Sequence, residues 1–407
     1  MTPVIAVLGA GAAGIMAAVH AAGPGRRVLL LERTADGGRK ILISGGGRCN
    51  VLPGTLDESR FVTASSPHTL RNILRSWPLA EQRRFFEEDL ALPLVLEPDT
   101  GKLFPVANKA RAVRDTLIAH ARERGVECLM NAQVTGLTAT GSRWQIALGD
   151  APPITADAVI VATGGLSVPK TGSDGFGLTQ LAALGHVVHP TYPALTPILC
   201  APPAFADLAG VSLTVTATAV GTEKAVAHGG FLFTHHGYSG PAVLDVSHVL
   251  VRQLGTERPR LEVRWTDLSP SDWERALAAG PQQVATAVRQ HLPARLADRL
   301  VGEAAVSLDT RLSQLRREDR LRLIATLTRC VLPWTGDEGY RKAEVTGGGV
   351  SLGDVDPRTL ESRRLPGLFL AGELLDAFGP IGGYNFVWAW TTGRLAGLGA
   401  AARITTI

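Results

Sequence analysis

The first 32 residues constrain the fold more than any other part of the chain. They are predicted to form an apolar strand over 4–8, a glycine-rich turn over 9–14, a helix over 15–22 and a second apolar strand over 28–31, closed by Glu32. Strands without polar alternation are typical of parallel sheets covered by helices on both faces. The chain is therefore predicted to be an α/β protein built on a Rossmann-like parallel sheet.

The turn between the first strand and the first helix has the G-x-G-x-x-G form. Gly9 permits the tight turn, Gly11 lets backbone N–H groups approach a pyrophosphate, and Gly14 lets the helix pack closely on the sheet. The start of the helix adds unpaired N–H groups and partial positive charge. Glu32 can accept hydrogen bonds from the hydroxyls of an adenosine ribose. The segment is predicted to bind an adenine dinucleotide, in preference to being a βαβ unit without a ligand.

Length and composition bound what else the chain can be. Its 407 residues are too many for one ordinary core, so two or three domains are expected. A hydrophobic content of 45% with 19% charged residues is that of a soluble globular protein, and the net charge of +4 is small for this size. Because the chain has no basic tail and no run of Lys/Arg interleaved with aromatics, no nucleic-acid partner is expected.

Signals for export, membrane insertion and metal binding are lacking. The apolar stretch 4–22 has no positive region before it, and no other run approaches the roughly 20 apolar residues of a membrane span, so no signal peptide or membrane partner is expected. The widely separated Cys49, Cys128, Cys200 and Cys330 suit a reducing environment, and a cytoplasmic location is expected. The histidines form no metal-binding array, so no metal site is expected.

The texture of the sequence divides the chain into three parts. Apolar strands alternating with helices occupy 1–190 and return over 346–407, which predicts a discontinuous dinucleotide domain. A proline-rich segment and runs of alternating Thr and Val predict an antiparallel β-rich substrate or cap domain over 191–270 and 330–345. Charged and apolar residues at three- and four-residue spacing predict a helical insertion over 271–329.

Two later turns indicate which dinucleotide is bound. An apolar strand runs into Ala-Thr-Gly-Gly at 162–165, and another runs into Ala-Gly-Glu at 371–373. The Gly-Gly turn at 382–383 precedes a helix predicted over about 385–401. NAD domains usually close their site within one continuous unit, whereas the longer FAD contacts segments far apart in the chain. N–H groups at that helix start would stabilise negative charge on a reduced flavin. FAD is therefore the predicted cofactor.

Four strings resemble the motifs of one known family. They are Lys40–Asn50 (K-I-L-I-S-G-G-G-R-C-N), Leu232–Pro241 (L-F-T-H-H-G-Y-S-G-P), Thr346–Val350 (T-G-G-G-V) and Glu373–Trp390 with its I-G-G-Y-N-F core. In this order they resemble the BaiN-like flavoproteins, also called the YhiN or HI0933-like family of NAD(P)/FAD-dependent oxidoreductases, which includes aminoacetone oxidase-like flavoproteins. The resemblance covers essentially the whole chain.

The resemblance implies a discontinuous Rossmann-like FAD-binding domain with an inserted antiparallel β-rich domain that carries a helical subdomain. Lys40 and Arg48 would neutralise the pyrophosphate. One departure is Val387, where many relatives carry Gln, so a polar contact to the flavin or substrate could be missing there. The FAD contacts implied by matching motif positions are Gly9, Gly11, Ala13, Gly14, Glu32, Arg33, Lys40, Ser44, Gly46, Gly47, Arg48, Cys49, Asn50, Val134, Thr163, Gly164, Gly372, Glu373, Asp376, Gly383, Tyr384, Asn385 and Phe386.

The resemblance implies an FAD-dependent oxidoreductase that transfers a hydride or electron pair between a small organic substrate and flavin N5. Amine oxidation of the aminoacetone type and reduction of conjugated enones both stay open. Because the glycine-rich 172–177 lacks a preceding apolar strand, no second dinucleotide domain is expected, and transient NAD(P)H or O2 is the other partner. A flavin-bound sensor or scaffold without turnover is the alternative from another class. A tRNA-modifying flavoprotein is disfavoured by the missing basic stripe.

Three residues are candidates for catalysis. His235 and His236 can exchange protons with a substrate near neutral pH, or alternatively orient a loop through backbone hydrogen bonds. Tyr384, beside the ring by motif, either donates a proton or packs. Cys49 is predicted to be a packing thiol rather than a redox partner, because no second cysteine is near it in the sequence.

Overall fold

The computed structural model describes residues 2–252 and 257–406. Within it the chain divides into two compact units. The first unit is discontinuous and comprises Met1–Pro193 with Glu344–Ile407, and the inserted unit comprises Ala194–Ala343.

The helices and strands follow in chain order. The strands are β1 (Val4–Leu8), β2 (Arg27–Leu31), β3 (Leu52–Pro53), β4 (Leu94–Glu97), β5 (Lys102–Pro105), β6 (Glu127–Leu129), β7 (Val134–Thr140), β8 (Arg143–Leu148), β9 (Ile154–Ala156), β10 (Ala158–Val161), β11 (Val188–Ala194), β12 (Ile198–Leu199), β13 (Ser212–Val220), β14 (Lys224–Phe233), β15 (Gly237–Ser239), β16 (Arg260–Arg264), β17 (Cys330–Leu332), β18 (Gly336–Asp337), β19 (Val345–Val350) and β20 (Leu368–Leu370). The helices are α1 (Ala12–Ala21), α2 (Arg39–Ile43), α3 (Pro67–Arg75), α4 (Leu79–Arg84), α5 (Ala110–Glu123), α6 (Phe176–Ala183), α7 (Pro241–Arg252), α8 (Pro270–Ala276), α9 (Val284–Arg289), α10 (Ala294–Glu303), α11 (Arg317–Thr328) and α12 (Tyr384–Thr406).

A parallel sheet in the order β20-β10-β1-β2-β6 forms the centre of the first unit. β1 and β10 are buried along their whole length, which explains their unbroken apolar sequences. Because parallel strands end at the same edge of a sheet, the turns after β1, β10 and β20 all lie at its carboxyl edge. The predicted α/β, Rossmann-like fold is confirmed, and the sheet brings the three glycine-rich turns to one edge.

The long helix α12 packs along α1 through small residues. A Cβ added at Gly393 or Gly397 would overlap the backbone carbonyl oxygens of Ala13 and Ala17. The two helices therefore approach each other backbone to backbone. This close packing fixes where α12 begins relative to α1, so the N-termini of both helices are placed by the same contact.

The inserted unit contains an antiparallel sheet in the order β17-β16-β13-β14-β15-β12-β18. Phe231, Phe233 and Trp265 are fully buried in its core, where the Phe233 and Trp265 rings stack at 5.7 Å between centroids. β14 continues through Gly229 and Gly230, which pair with Val215 and Thr214 of β13. The helices α8, α9, α10 and α11 occupy the region predicted to be helical.

The described residues contain neither a candidate membrane span nor a candidate metal cluster. No helix within residues 2–252 or 257–406 combines the length and apolarity needed to cross a membrane. The same residues contain no group of three or more His, Cys, Asp or Glu side chains arranged to hold a metal ion.

Candidate dinucleotide site

The turn after β1 brings backbone against backbone. Gly9 has a φ of +97°, and a Cβ there would lie 2.7 Å from the carbonyl oxygen of Ala162 at the end of β10. A Cβ at Gly14 would overlap the carbonyl oxygen of Gly9. Only glycine accommodates this combination of positive φ and close approach. The turn therefore holds the start of α1, including Ala13, directly at the sheet edge.

The start of α1 is open where a pyrophosphate would bind. Gly11 is the N-cap residue, and no side chain caps the helix. A Cβ at Gly11 would meet no atom within 4 Å. The first N–H groups of a helix have no intrahelical partners and carry partial positive charge, so they bind anions readily. The local geometry fits a dinucleotide phosphate.

Glu32 is held at the end of β2 by backbone and side-chain donors. Its Oε2 accepts from Ala10 N–H at 2.9 Å, and its Oε1 accepts from the N–H and hydroxyl of Thr34 at 2.8 and 2.7 Å. A carboxylate has about four acceptor positions, so room for a ribose hydroxyl is left. The neighbouring Arg33 pairs with Asp174 on the surface.

Two backbone hydrogen bonds join the chain just before Val134 to the segment that carries Glu32. Ala132 N–H donates to the carbonyl oxygen of Glu32 at 2.8 Å, and Asn131 N–H donates to that of Thr34 at 3.1 Å. The start of β7 is therefore held beside the predicted ribose acceptor, although the two segments are about 100 positions apart in the sequence.

The turn after β10 contains a buried hydroxyl without a partner. Thr163 Oγ1 is buried and makes no hydrogen bond to any residue that the structure describes. Gly177 of α6 packs directly over it, and the adjacent Gly164 has a φ of +73°. An unpaired buried hydroxyl costs about 1–3 kcal/mol. Thr163 therefore fits a site in which a ligand atom completes the hydrogen bonding.

The S-G-G-G-R-C-N stretch folds as a tight turn after α2. Gly45, Gly46 and Gly47 have φ values of +54°, +66° and +85°, which side-chain-bearing residues rarely adopt. A Cβ at Gly46 would meet nothing within 4 Å, whereas one at Gly45 would lie 3.1 Å from Asn50 N. Ser44 donates its hydroxyl to Ile41 O at 2.8 Å. The turn leaves backbone open on the Gly46 side.

Cys49 is fully buried within this turn. Its N–H donates to Ser44 O at 3.1 Å, and burial raises the pKa of the thiol to about 12. A protonated, enclosed thiol is a poor nucleophile. These observations support the packing interpretation of Cys49.

Both predicted pyrophosphate cations have protein partners. Arg48 pairs with Glu97 at 2.9 Å, and its guanidinium carbon lies 4.1 Å from the ring centroid of Phe104. Lys40 pairs with Glu373 at 2.5 Å. Each of the two cations is therefore paired with a carboxylate of the first unit, in addition to or in place of the predicted phosphate.

Asp376 anchors a loop that the sequence analysis did not identify. Its Oδ2 accepts from the N–H groups of Ala64 and Ser65 at 2.9 and 2.8 Å and from the hydroxyls of Thr63 and Ser65 at 3.0 and 2.7 Å. The side chain is almost fully buried. The segment 63–65 carries no motif, so only the folded chain brings it to Asp376.

The segment before α12 packs against β3, which follows the S-G-G-G-R-C-N turn. A Cβ at Gly383 would lie 2.7 Å from the carbonyl carbon of Leu52. The Asn385 side chain accepts from Gly379 N–H and donates to Gly379 O, both at 2.9 Å. Phe386 stacks on Trp390 at 5.1 Å. The segments 44–50 and 383–386, which both carry implied FAD contacts, are thus brought near each other.

Tyr384 is buried at the start of α12. Its hydroxyl accepts from Asp57 N–H at 3.3 Å, and its ring centroid lies 5.6 Å from that of Phe61. In the turn after β20, a Cβ at Gly372 would lie 2.7 Å from the Cβ of Ala13. The phenol accepts the hydrogen bond from Asp57 and keeps its own proton free, so packing and proton donation both stay predictions for Tyr384.

His235 and His236 lie in the exposed turn between β14 and β15 of the inserted unit. The His236 carbonyl oxygen accepts from Cys200 N–H at 2.8 Å, and its N–H donates to Thr234 Oγ1 at 3.3 Å. The backbone of the pair therefore orients a loop, while both imidazoles face solvent. Their catalytic role stays a prediction.

Three residues near the site, Ser167, Thr346 and Lys102, were not among the sites predicted from the sequence. Ser167 and Thr346 hydrogen-bond to the Lys40–Glu373 pair. Lys102 of β5 lies across the turn before α12, with its Cε 3.3 Å from the Cβ position of Gly382. Thr346 opens the T-G-G-G-V string and could have been singled out, whereas Lys102 has no sequence signal.

Comparison with known proteins gives one family and two kinds of curated relative. A model of the HI0933-like protein Rossmann domain matches residues 3–399. The chain is 34% identical over 396 residues to "Ribosomal RNA dihydrouridine synthase" of Escherichia coli, covering 95% of each chain. It is 32% identical over 411 residues to "3-dehydro-bile acid delta(4,6)-reductase" of Clostridium scindens, covering 98% of this chain and 99% of the relative.

Among solved structures, the chain resembles 3-ketosteroid delta1-dehydrogenase from Sterolibacterium denitrificans in complex with 1,4-androstadiene-3,17-dione. The TM-score is 0.50 at 12% identity, covering 98% of this chain and 99% of that one. At this identity the similarity concerns the fold.

Proposed function

The chain belongs to the HI0933-like family, and from that membership we propose that it is an FAD-dependent reductase of carbon–carbon double bonds conjugated with a carbonyl group. The predicted family and the predicted class, a flavoprotein oxidoreductase, are both confirmed. The narrower statement about the bond that is reduced is our proposal. When bound, the flavin would supply a hydride from its N5 atom.

The proposed FAD binding rests on three features, which we call the dinucleotide cradle. The open face at Gly11, the uncapped start of α1 and the unpartnered Thr163 hydroxyl lie at the carboxyl edge of one parallel sheet. In open α/β sheets ligands bind at this edge. Gly9, Gly14 and Glu32 would hold the adenine end, and the segments 44–50 and 383–386 would hold the ring.

The names of the two kinds of curated relative describe the same bond change. Dihydrouridine is uridine reduced at the double bond conjugated with its C4 carbonyl. A delta(4,6)-reductase of a 3-dehydro bile acid acts on double bonds conjugated with the C3 carbonyl. In both cases a hydride is added to a carbon conjugated with the carbonyl and a proton completes the saturation. Neither name describes amine oxidation, so we favour the enone alternative.

The relatives also change the expected partners. The sequence analysis expected no nucleic acid because the chain lacks a basic stripe. The Escherichia coli relative is named for a reaction on ribosomal RNA. We therefore include uridine in ribosomal RNA among the proposed substrates, alongside small conjugated ketones, since both present the same reactive group.

The catalytic role predicted for His235 and His236 from the sequence is tested by substitution. If an imidazole of the pair exchanges a proton with the substrate, His236→Gln or His235→Gln should lower kcat about 10²-fold or more. His228→Gln, at an exposed position of β14, is the control. An unchanged kcat in both variants would assign the pair to loop orientation alone.

The test is an anaerobic titration of the flavin-loaded protein. We expect NADH or NADPH to bleach the visible flavin absorbance, and a conjugated alkene to restore it with a product two hydrogens heavier. The alkenes are unmodified ribosomal RNA, free uridine and a 3-oxo-4,6-diene steroid, which separate the two substrate sources. Bleaching by an amine without reoxidation by any alkene would indicate amine oxidation. Failure of every donor to bleach the flavin would indicate a sensor.

A further inference from the structure

A polar cluster joins segments that lie far apart in the sequence. Lys40 Nζ donates to Ser167 Oγ and to Glu373 Oε2, each at 2.5 Å. Glu373 Oε1 accepts from Ser167 Oγ at 2.6 Å and from Thr346 N–H at 3.0 Å. Thr346 Oγ1 accepts from the N–H groups of Leu166 and Ser167 at 2.7 and 3.1 Å. We call Lys40, Ser167, Thr346 and Glu373 the Lys40 cluster.

The charges of the cluster are matched and mostly enclosed. The side chains of Lys40 and Glu373 are 27% and 19% exposed. A lysine ammonium has three donors, and two of those of Lys40 are used within the cluster. The charge expected to neutralise a pyrophosphate is thus already neutralised by a carboxylate.

We propose that Lys40 is a positioning residue that acts through Glu373 on the turns holding the ribityl and ring end of FAD, and is not a ligand of the pyrophosphate. The proposal rests on the FAD binding proposed above. The phosphate cradle at Gly11 needs no side-chain cation, because a helix start supplies N–H groups and positive charge. Glu373 lies in the turn after β20, and Thr346 lies in β19, so Lys40 ties its own segment to both.

The cluster also fixes the turn after β10. A Cβ at Gly165 would overlap Thr346 Oγ1 and lie 3.0 Å from Glu373 Oε1. The turn after β10 is therefore packed tightly against the Glu373 carboxylate. Removing one member of an enclosed ion pair leaves the other charge uncompensated, which costs more than the pair itself contributes. Losing Lys40 would therefore displace Glu373 and, with it, the turn that carries Thr163 and Gly164.

The affinities for FAD and for ADP distinguish the two roles of Lys40. ADP contains the adenine, ribose and pyrophosphate but lacks the ribityl and flavin. We expect Lys40→Met to weaken FAD binding at least tenfold and to change ADP binding less than twofold, measured by calorimetric titration of the full chain. The matched control is Arg39→Met, which removes an adjacent cation paired with Asp36 on the surface. It should change both affinities less than twofold.

A double-mutant cycle tests the coupling between the two charges. Glu373→Gln should weaken FAD as Lys40→Met does, and the double variant should be no weaker than either, because no uncompensated charge is left. Ser167→Ala leaves the ion pair in place and should weaken FAD several-fold with ADP unchanged. It decides the question if Lys40→Met does not fold.

Two results would overturn the assignment. Equal weakening of ADP and FAD in Lys40→Met would make Lys40 a pyrophosphate ligand, and additive losses in the double variant would deny the coupling. A wild-type chain that binds ADP but not FAD would instead overturn the proposed function, and the assignment with it.

Discussion

Gly11 and Gly14 of the first turn have different roles, although both are glycine positions of the same motif. Gly14 faces the carbonyl oxygen of Gly9, whereas Gly11 faces open space. The first is needed by the fold, and the second is needed only if something binds. The same distinction separates side chains such as Cys49, enclosed by protein, from Thr163, whose hydroxyl has no partner in the described residues.

Gly11→Ala should therefore fold normally and bind its dinucleotide more weakly. Its backbone, at φ −80° and ψ −174°, is open to alanine, and the new methyl group meets no protein atom. We expect unchanged thermal stability without ligand and a loss of about 1.4 kcal/mol or more in FAD binding, a factor of ten. Gly14→Ala is the contrast and should lose about 1–3 kcal/mol of unfolding free energy. Undiminished FAD affinity in Gly11→Ala would place the phosphate elsewhere.

Cys49 should resist alkylation in the folded protein. Burial raises the pKa of its thiol to about 12, so little thiolate forms at neutral pH. We expect iodoacetamide at pH 7.5 to label the half-buried Cys128 first and Cys49 only in denaturant, as followed by peptide mass spectrometry. Rapid native labelling of Cys49 would restore it as a redox candidate.

Helices contribute to the site through their ends and to stability through their faces. α1 presents uncapped N–H groups at one end, while its other end carries His20, which contacts the rings of Trp77 and Phe85 at 5.6 and 5.5 Å. His20 is half-buried, and α7 of the inserted unit carries the buried His248. Burial lowers the pKa of each imidazole to about 4.

The lowered pKa values of His20 and His248 predict that the folded protein loses stability in acid. Between pH 6.5 and pH 4 the unfolded chain protonates His20 and His248 while the folded chain does not. The free energy of unfolding should therefore fall as pH falls through this window, by up to about 1.4 kcal/mol per pH unit for each histidine. His20→Phe and His248→Gln should each flatten the slope in urea titrations between pH 4.5 and 6.5. Exposed His68→Gln is the control, and slopes equal to wild type in both buried variants would contradict the assignment.

At the scale of the whole molecule the chain has two separate hydrophobic cores. One encloses the parallel sheet with α1 and α12, and the other encloses the antiparallel sheet with the helices from α7 to α11. The cradle, the Lys40 cluster and Asp376 all belong to the first unit, which is assembled from both ends of the chain. Cofactor binding should therefore act on one core only.

Calorimetry should show two unfolding transitions. FAD at about 100 times its Kd should stabilise the transition of the first unit by about 2.7 kcal/mol and leave the second in place. Trp273→Ala, in the inserted core, should lower only the second transition, by about 3–5 kcal/mol of unfolding free energy. One transition that FAD moves as a whole would contradict this division.

The local backbone was predictable from the sequence, because glycine turns, apolar strands and helix starts depend on neighbouring residues. The positions of the first turn, of 162–165, of 371–373 and of the parallel strands all agree with the structure. The family and the flavoprotein class follow from the same strings.

The partners of the charged side chains were decided only by the tertiary structure. Lys40 pairs with Glu373, 333 positions away, and Asp376 holds Ser65, 311 positions away. Such distances in sequence are bridged by strand order and helix packing, which place side chains no local pattern relates. The sequence by itself determined which turns could face a dinucleotide. Only the tertiary structure decided which cations remain available to the dinucleotide. The Lys40 ammonium lies 2.5 Å from the Glu373 carboxylate, so its charge is largely neutralised.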